Sequence, residues 1–453
     1  VSANTFVHAR EVCAGANLRS RLASGLLGGP SVHAIVLTLL LAFAAPAAAG
    51  SRAGELDASF GSAGVAVANP GEFAFLYGLA RQADGRYVVA GITVLPEVQG
   101  VRPYVPTLVR FDEDGSLDET FGAGGVVLPP SPYTETYGAY DGGVAVQPDG
   151  RIVVAGSVPG SQGGACGLVA RHEATGALDP SFGDAGKLRF CAGRSVWFAS
   201  TALQADGRVV VAGAVYTDDP AGHPSLASDH LVVRFTTDGR LDPTFGDGGV
   251  WRLDRAVHDY VQGLAIQPDG KLLLCGTDVV IRLLADGTPD PGFGTSGLRP
   301  IVTELGATEI AIDGDGRIVV AGGSSEGVGL DRYLPNGRAD RSLRAARRNR
   351  TLFATGLGID PVGRLLVTGF EQAEDFVTRY VVARLHRSGR FDRSFGKRGQ
   401  AVTMPSAFDV EDGRWEGNLA RIVVTDPDGD VVVGIHQSSG FTLLRYRGSR
   451  RAR

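Results

Sequence analysis

One stretch constrains the fold of this chain more than any other: Ala265-Ile266-Gln267-Pro268-Asp269-Gly270-Lys271-Leu272-Leu273-Leu274-Cys275-Gly276. It recurs in recognisable form, with Asp-Gly pairs at Asp84, Asp149, Asp206, Asp315 and Asp428 and with Val362-Gly363 standing in once. Each copy reads as an apolar strand, a tight turn needing positive φ, and a second apolar strand ending in glycine. A unit repeated at this period cannot bury its own apolar faces and must stack on its neighbours.

A second motif, Leu56-Asp57-Ala58-Ser59-Phe60-Gly61-Ser62-Ala63-Gly64, returns at Leu117, Leu178, Leu241, Pro289 and Phe391, with a damaged copy at Ala339-Asp340-Arg341-Ser342-Leu343. Before each comes a third, such as Leu231-Val232-Val233-Arg234-Phe235, with counterparts carrying Arg110, Arg171, Arg282, Arg332, Arg384 and Arg445. In the unit after Tyr260 the four apolar segments run over 261–267, 271–276, 278–284 and through Pro289-Asp290-Pro291-Gly292-Phe293-Gly294 to Ile301. Four short strands per unit fit radial blades better than a solenoid. The 65 glycines and 23 prolines agree, since long helices do not carry that glycine load.

The ends decide the architecture. The last unit has three strands, at 421–424, 431–435 and 441–446, and no fourth, while the sequence after residue 50 opens on an orphan fourth-strand motif at Leu56. Joining the two removes the exposed edges of an open array. The expectation is an all-β fold: a seven-bladed β-propeller of four-stranded blades, closed by the N-terminal strand completing the last blade. Arg445 is then expected to meet Asp57, as Arg234 meets Asp242 across one hairpin. These pairs read as structural ties, not as seven binding sites.

The paired forms Leu-Asp-x-x-Phe-Gly-x-x-Gly and Ala-x-Gln-x-Asp-Gly-Arg-x-Val-Val-Ala-Gly resemble the bacterial delta-60 repeat family over Leu56–Tyr446, and more distantly NHL-type propeller repeats. The resemblance implies exported or surface-associated β-propellers without a defined activity. The unit around Arg338–Arg350 departs from the pattern, losing Phe-Gly and gaining a basic cluster, which makes its outer strand the least regular.

Arg19 and Arg21 precede an apolar run over 34–45 and Pro46-Ala47-Ala48-Ala49, which reads as a secretory signal cleaved after Ala49 and not as a membrane span. The chain begins with Val, read as an alternative start codon or a start placed too far upstream. The expected organisation is a signal peptide with upstream extension over 1–49, the propeller over 50–447 and a basic disordered tail over 448–453. The protein is expected to be secreted, periplasmic or at the cell surface, and monomeric. The net charge of -5 gives no global pull toward nucleic acid, and no second run is long enough to span a bilayer.

Cys166 begins a third strand and Cys191 ends the outer strand beside it, so an oxidising compartment would join them in a disulfide. Cys275 replaces a motif alanine and reads as a small core residue. The Asp-Gly turns supply too few oxygens for calcium and read as hairpin turns. No metal-binding His pair, Gly-x-Ser-x-Gly elbow or phosphate-cradling glycine loop is present, so no catalytic residue, metal or cofactor is expected.

Topology favours one face. The short Asp-Gly turns share one end of each blade, and the long connections share the other. Those connections carry Tyr137, Tyr140, Trp197, His223, His258, Tyr260 and Trp415, the candidate binding residues. Aromatics on loops held by a rigid scaffold suit a protein or carbohydrate partner. The expected function is therefore a binding or scaffolding module acting through the long-loop face. The alternatives are a propeller hydrolase or lactonase with a metal at the channel mouth, which the apolar innermost strands speak against, and a structural envelope component.

Overall fold

The computed structural model describes residues 52–98, 100, 102–129, 139–160, 164–217, 227–255, 259–301, 306–323, 329–343, 352–372, 378–403, 419–436 and 440–448. The chain divides into two units, Val1–Ala49 and Gly50–Arg453, and the described residues all belong to the second. The leader expected over 1–49 lies outside them. No helix among them is long and apolar enough to cross a membrane.

After β1 (Val65–Ala68), blade 1 is built from β2 (Phe73–Arg81), β3 (Tyr87–Val94), β4 (Tyr104–Phe111) and β5 (Val126–Val127). Blade 2 has β6 (Val144–Val146), β7 (Ile152–Pro159), β8 (Ala165–His172) and β9 (Lys187–Phe190). Blade 3 has β10 (Ser195–Leu203), β11 (Val209–Thr217), β12 (Ala227–Phe235) and β13 (Val250–Leu253). Blade 4 has β14 (Val261–Ile266), β15 (Leu272–Gly276), β16 (Val279–Leu283) and β17 (Leu298–Pro300). Blade 5 has β18 (Ala307–Ile312), β19 (Ile318–Gly322) and β20 (Gly329–Tyr333). Blade 6 has β21 (Leu352–Ile359), β22 (Leu365–Gln372), β23 (Thr378–Leu385) and β24 (Gln400–Thr403). Blade 7 has β25 (Leu419–Thr425), β26 (Val431–His436) and β27 (Phe441–Tyr446), with β1 as its outer strand.

Every sheet is an antiparallel meander, and the first strands pack successively on one another around the ring, β25 returning to β2. The apolar core is not central. It is divided among seven interblade layers, each filled from two neighbouring blades: Phe441, Leu443 and Val432 of blade 7 meet Leu76, Val89 and Phe111 of blade 1 in one such layer. Alternation puts every second residue of a strand into one layer and the rest into the next, so strands such as β15 and β19 are buried throughout.

The Leu-Asp motif is a corner, not part of the outer strand as the sequence reading had it. Leu241 forms a single bridge to Phe235, and β13 starts only at Val250. The corner holds a repeated hub. The Arg234 guanidinium lies 2.8 Å from Asp242, donates to the Thr244 hydroxyl at 2.9 Å, stacks 4.7 Å from the Phe245 centroid and donates to the Ala285 carbonyl of blade 4. Arg110, Arg171, Arg282, Arg384 and Arg445 pair with their aspartates and stack on a phenylalanine in the same way. Each therefore ties its own hairpin shut and reaches the next blade. Burial raises the Asp179 carboxyl, but hydrogen bonds from Ser181 and Arg171 outweigh it and hold it at about 2. In blade 5 Arg332 keeps Asp340 at 2.8 Å, but Leu343 stands where the others have phenylalanine. That blade has three strands among the described residues.

The termini close the ring as expected: β1 pairs with β27 from Val65↔Leu444 to Ala68↔Phe441, and Leu56 bridges Tyr446. They also rebuild a turn. Where blade 1 has Glu113-Asp114-Gly115, blade 7 has Gly448 from one end of the chain and Ala53-Gly54 from the other. The Gly448 carbonyl accepts from Arg384 as Glu113 accepts from Arg445, and the Ala53 carbonyl accepts from Gly396 as Asp114 accepts from Gly61. Gly54 has φ +83°, matching +85° at Gly115. The fold thus extends to Gly448.

Candidate functional site at the long-loop end of the inner strands

The inner strands of blades 1, 3, 4, 5 and 6 are interrupted by a bulge near the long-loop end, between Leu76 and Gly78, Phe198 and Ser200, Val261 and Gly263, Ala307 and Glu309, and Ala354 and Gly356. The residue just before each bulge is buried in the layer shared with the preceding blade: Leu76, Phe198, Val261, Ala307 and Ala354. One residue earlier the side chain turns the other way, because neighbours on a strand face opposite sides. Those positions hold Phe75, Trp197, Tyr260, Gly306 and Phe353. The four aromatics are half-buried or exposed, Phe353 at 38%, and none belongs to an interblade layer. They form a rim around the long-loop end of the ring axis, on blades 1, 3, 4 and 6.

The motif glycine closing each second strand makes this rim possible. A Cβ at Gly91, Gly213, Gly276 or Gly369 would collide with the carbonyl oxygen of Phe75, Trp197, Tyr260 or Phe353 respectively. Glycine lets the rim residue's backbone settle against the second strand. The ring of Phe353 is further fixed by stacking on Phe370 at 5.1 Å.

Of the residues expected to bind, Trp197 and Tyr260 lie on this rim. Tyr140 does not. Blade 2 has one more residue in its bulge, so Ala139 pairs with Ser157 where Trp197 pairs with Ala214, and Gly156 approaches the Ala139 carbonyl. Tyr140 is rotated into the layer with Val88 and Ala90, 4% exposed. Its hydroxyl lies 3.1 Å from His172 Nε2, and His172 Nδ1 lies 2.8 Å from the Gly176 carbonyl. Burial brings His172 down to about 4, so it is neutral, donating through Nδ1 and accepting from the tyrosine. The expectation of a surface contact fails for Tyr140 because the added residue changes its face. Tyr137, His223, His258 and Trp415 lie outside the described residues.

Sequence reasoning missed Phe75 and Phe353 because it searched connections and took inner strands to be apolar filler. The signal was present: Phe75, Trp197, Tyr260 and Phe353 all precede their first-turn Gln82, Gln204, Gln267 or Asp360 by the same spacing. It also missed Glu309, which follows the blade 5 bulge where blades 1, 4 and 6 have Gly78, Gly263 and Gly356. The Glu309 carboxylate accepts from the Ile310 N–H at 3.0 Å, and burial among the inner strands raises it to about 7. On its strand it shares the face of the rim position, one level further in.

Behind the rim, on blades 3 and 4, His230 is buried with its nearer ring nitrogen 3.7 Å from Asp259, and burial lowers its basicity despite that carboxylate. Asp259 in turn accepts from the Arg255 N–H at 2.6 Å and donates its own N–H to the Ser228 carbonyl. This web fixes the chain entering Tyr260. Among the described residues no group of three or more His, Cys, Asp or Glu has metal-holding geometry. The disulfide expected from the sequence is present between Cys166 and Cys191, which face each other where β8 and β9 pair, and Cys275 is a buried free thiol.

The chain matches a family model described as a domain of unknown function (DUF5122) beta-propeller at residues 82–121, 147–182, 204–245 and 267–293, less than half its length. No curated protein matches it significantly. Among solved structures it is similar to a protein from Lactobacillus plantarum (15% identity, covering 73% of this chain and 85% of that one, TM-score 0.44). It is also similar to a soluble aldose sugar dehydrogenase from Escherichia coli (14%, 85% and 99%, 0.39) and a gluconolactonase from Xanthomonas campestris (14%, 87% and 94%, 0.37). The repeat geometry and the matching family model together identify a seven-bladed β-propeller.

Proposed function

We propose that this chain is a binding module whose contact surface is the aromatic rim at the long-loop end, and that its ligand carries sugar rings. The observation behind this reading is the placement of Phe75, Trp197, Tyr260 and Phe353 at one position of four inner strands, outside every interblade layer. Rings held by a rigid backbone offer flat faces at low entropic cost, which suits the apolar faces of pyranosides. A protein partner would use the same rings as anchors. Export belongs to this reading too: a leader over 1–49 removed after Ala49, a monomeric propeller and a delta-60 type repeat on or beyond the cell surface. The Cys166–Cys191 bridge supports an oxidising compartment.

The test is a glycan array probed with the mature chain and with Trp197→Ala and Phe353→Ala. Loss of the same glycans in both variants, with unchanged circular dichroism, supports the rim. Retention of every signal removes it. Glu309 favours a second reading, a hydrolase using that carboxyl as general acid, because a group titrating at about 7 can donate a proton at neutral pH. Turnover of a captured glycan by wild type, abolished in Glu309→Gln while binding persists, would select it.

A further inference from the structure

The outer corners at the short-turn end are not electrically uniform. In the Leu-Asp corners of blades 1, 2 and 3 the variable positions include Glu119, Asp184 and Asp247. In blade 6 the equivalent positions are Arg393, Lys397 and Arg398, and blade 5 contributes Arg341. Residues 331–398 carry 15 Lys and Arg against 7 Asp and Glu, in a chain where acids outnumber bases 49 to 44. Arg341, Arg390, Arg393, Lys397 and Arg398 are exposed, and among the described residues none lies within ion-pair distance of a carboxylate. At the position of Arg390, blade 3 has Arg240, which lies 3.3 Å from Asp238 of its own turn. Arg398 even occupies a left-handed corner, φ +59°, where blades 1 and 3 use Gly124 and Gly248.

Beside these cations the N-terminal segment and the blade 6 corner enclose a cleft of about 800 Å³, lined among others by Arg52, Glu55, Arg393, Lys397 and Gln400. Among the described residues Glu55 is the one carboxylate in that lining, and it accepts from the Arg52 N–H at 2.8 Å. We infer that this cleft and the cationic corners of blades 5 and 6 bind a linear acidic polysaccharide, its carboxylate or sulfate groups meeting Arg52, Arg393 and Lys397 and then Arg398, Arg390 and Arg341. Cations spread over successive blades suit a charged polymer, not a single anion, and cooperate through a shared field. Among the described residues no exposed aromatic is interleaved with them, so these residues offer no stacking platform of the kind single-stranded nucleic acid needs. This surface lies at the opposite blade end from the aromatic rim and stands or falls separately from it.

The experiment is binding of the mature chain to polygalacturonate over a range of salt, beside an equally charged DNA duplex, with Arg393→Glu/Lys397→Glu and, as a second variant, Arg341→Glu/Arg390→Glu. The inference predicts that affinity falls linearly on a log–log salt plot. It predicts a loss of about tenfold or more in each charge-reversed variant with unchanged melting, and no change in Trp197→Ala. Equal binding by both reversed variants overturns it. So does tighter binding to the duplex, or retention traced by sedimentation to self-association of the chain.

Discussion

Arg445 and Asp57, 388 residues apart in sequence, form one ion pair: Nε donates to Oδ2 at 2.9 Å and Nη2 lies 2.7 Å from the same oxygen, with Asp57 3% exposed. Arg447 occupies the other oxygen at 2.7 Å. The corner hub that covalent continuity supplies in blades 1 to 6 is reproduced in blade 7 by two ends of the chain. The ring is then only as closed as this contact and the β1–β27 ladder make it.

Removing Asp57 leaves Arg445 buried without its main partner, which costs roughly 3–5 kcal/mol. Asp242→Ala breaks a similar pair inside a continuous hairpin and is expected to cost about as much in equilibrium unfolding. The two should differ under limited proteolysis. Asp57→Ala is expected to release residues 52–68 to cleavage under native conditions, and Asp242→Ala to leave the chain intact.

The Cys166–Cys191 bridge closes a loop with a sequence separation of 25. Constraint of the unfolded chain is worth about 3 kcal/mol for a loop of this size. Cys166→Ser should lower stability by that order in denaturant, and reductant should lower wild type toward the variant while leaving the variant unchanged.

Leu343 offers a gain. It stands where six other hubs place a phenylalanine under the arginine, and it packs at the edge of the blade 5–6 layer. Leu343→Phe restores the ring beneath Arg332 and should raise stability by about 0.5–1 kcal/mol. A loss in the melting temperature would mean that the corner of blade 5 has no room for it.

Glu309 gives the fold a pH dependence of definite sign. Its carboxyl moves from an ordinary value of 4.5 to about 7, so the folded state binds the proton more tightly than the unfolded chain. Its favourable contribution is complete below about 4.5 and is lost as pH rises through about 7. Glu309→Gln keeps the volume and removes the charge. The variant should be increasingly more stable than wild type from pH 5 to pH 8, and a difference independent of pH would contradict the assignment.

Much of this architecture is legible in the sequence because strand, turn and corner repeat with identical chemistry. Asp-Gly announces each hairpin, Arg234 and Asp242 announce each corner, and the unmatched strand at Leu56 announces the closure. The site is less legible for a physical reason. A bulge decides which way the next side chain points, and a bulge has no residue signature of its own. Tyr140 and Trp197 share the same distance from their first-turn glutamines, yet one residue more in the blade 2 bulge puts one ring in the core and leaves the other on the rim. Glu309 was obscured in the same way, since only register shows that it replaces a glycine.

Hydrogen–deuterium exchange of the mature chain with and without a glycan captured on the array tests the rim most directly. The account predicts slowed exchange in peptides covering 73–78, 195–200, 259–263 and 352–356, on four separate blades at one end of the ring. Protection confined to the short-turn corners, or absent from these four segments while the glycan is bound, would contradict it.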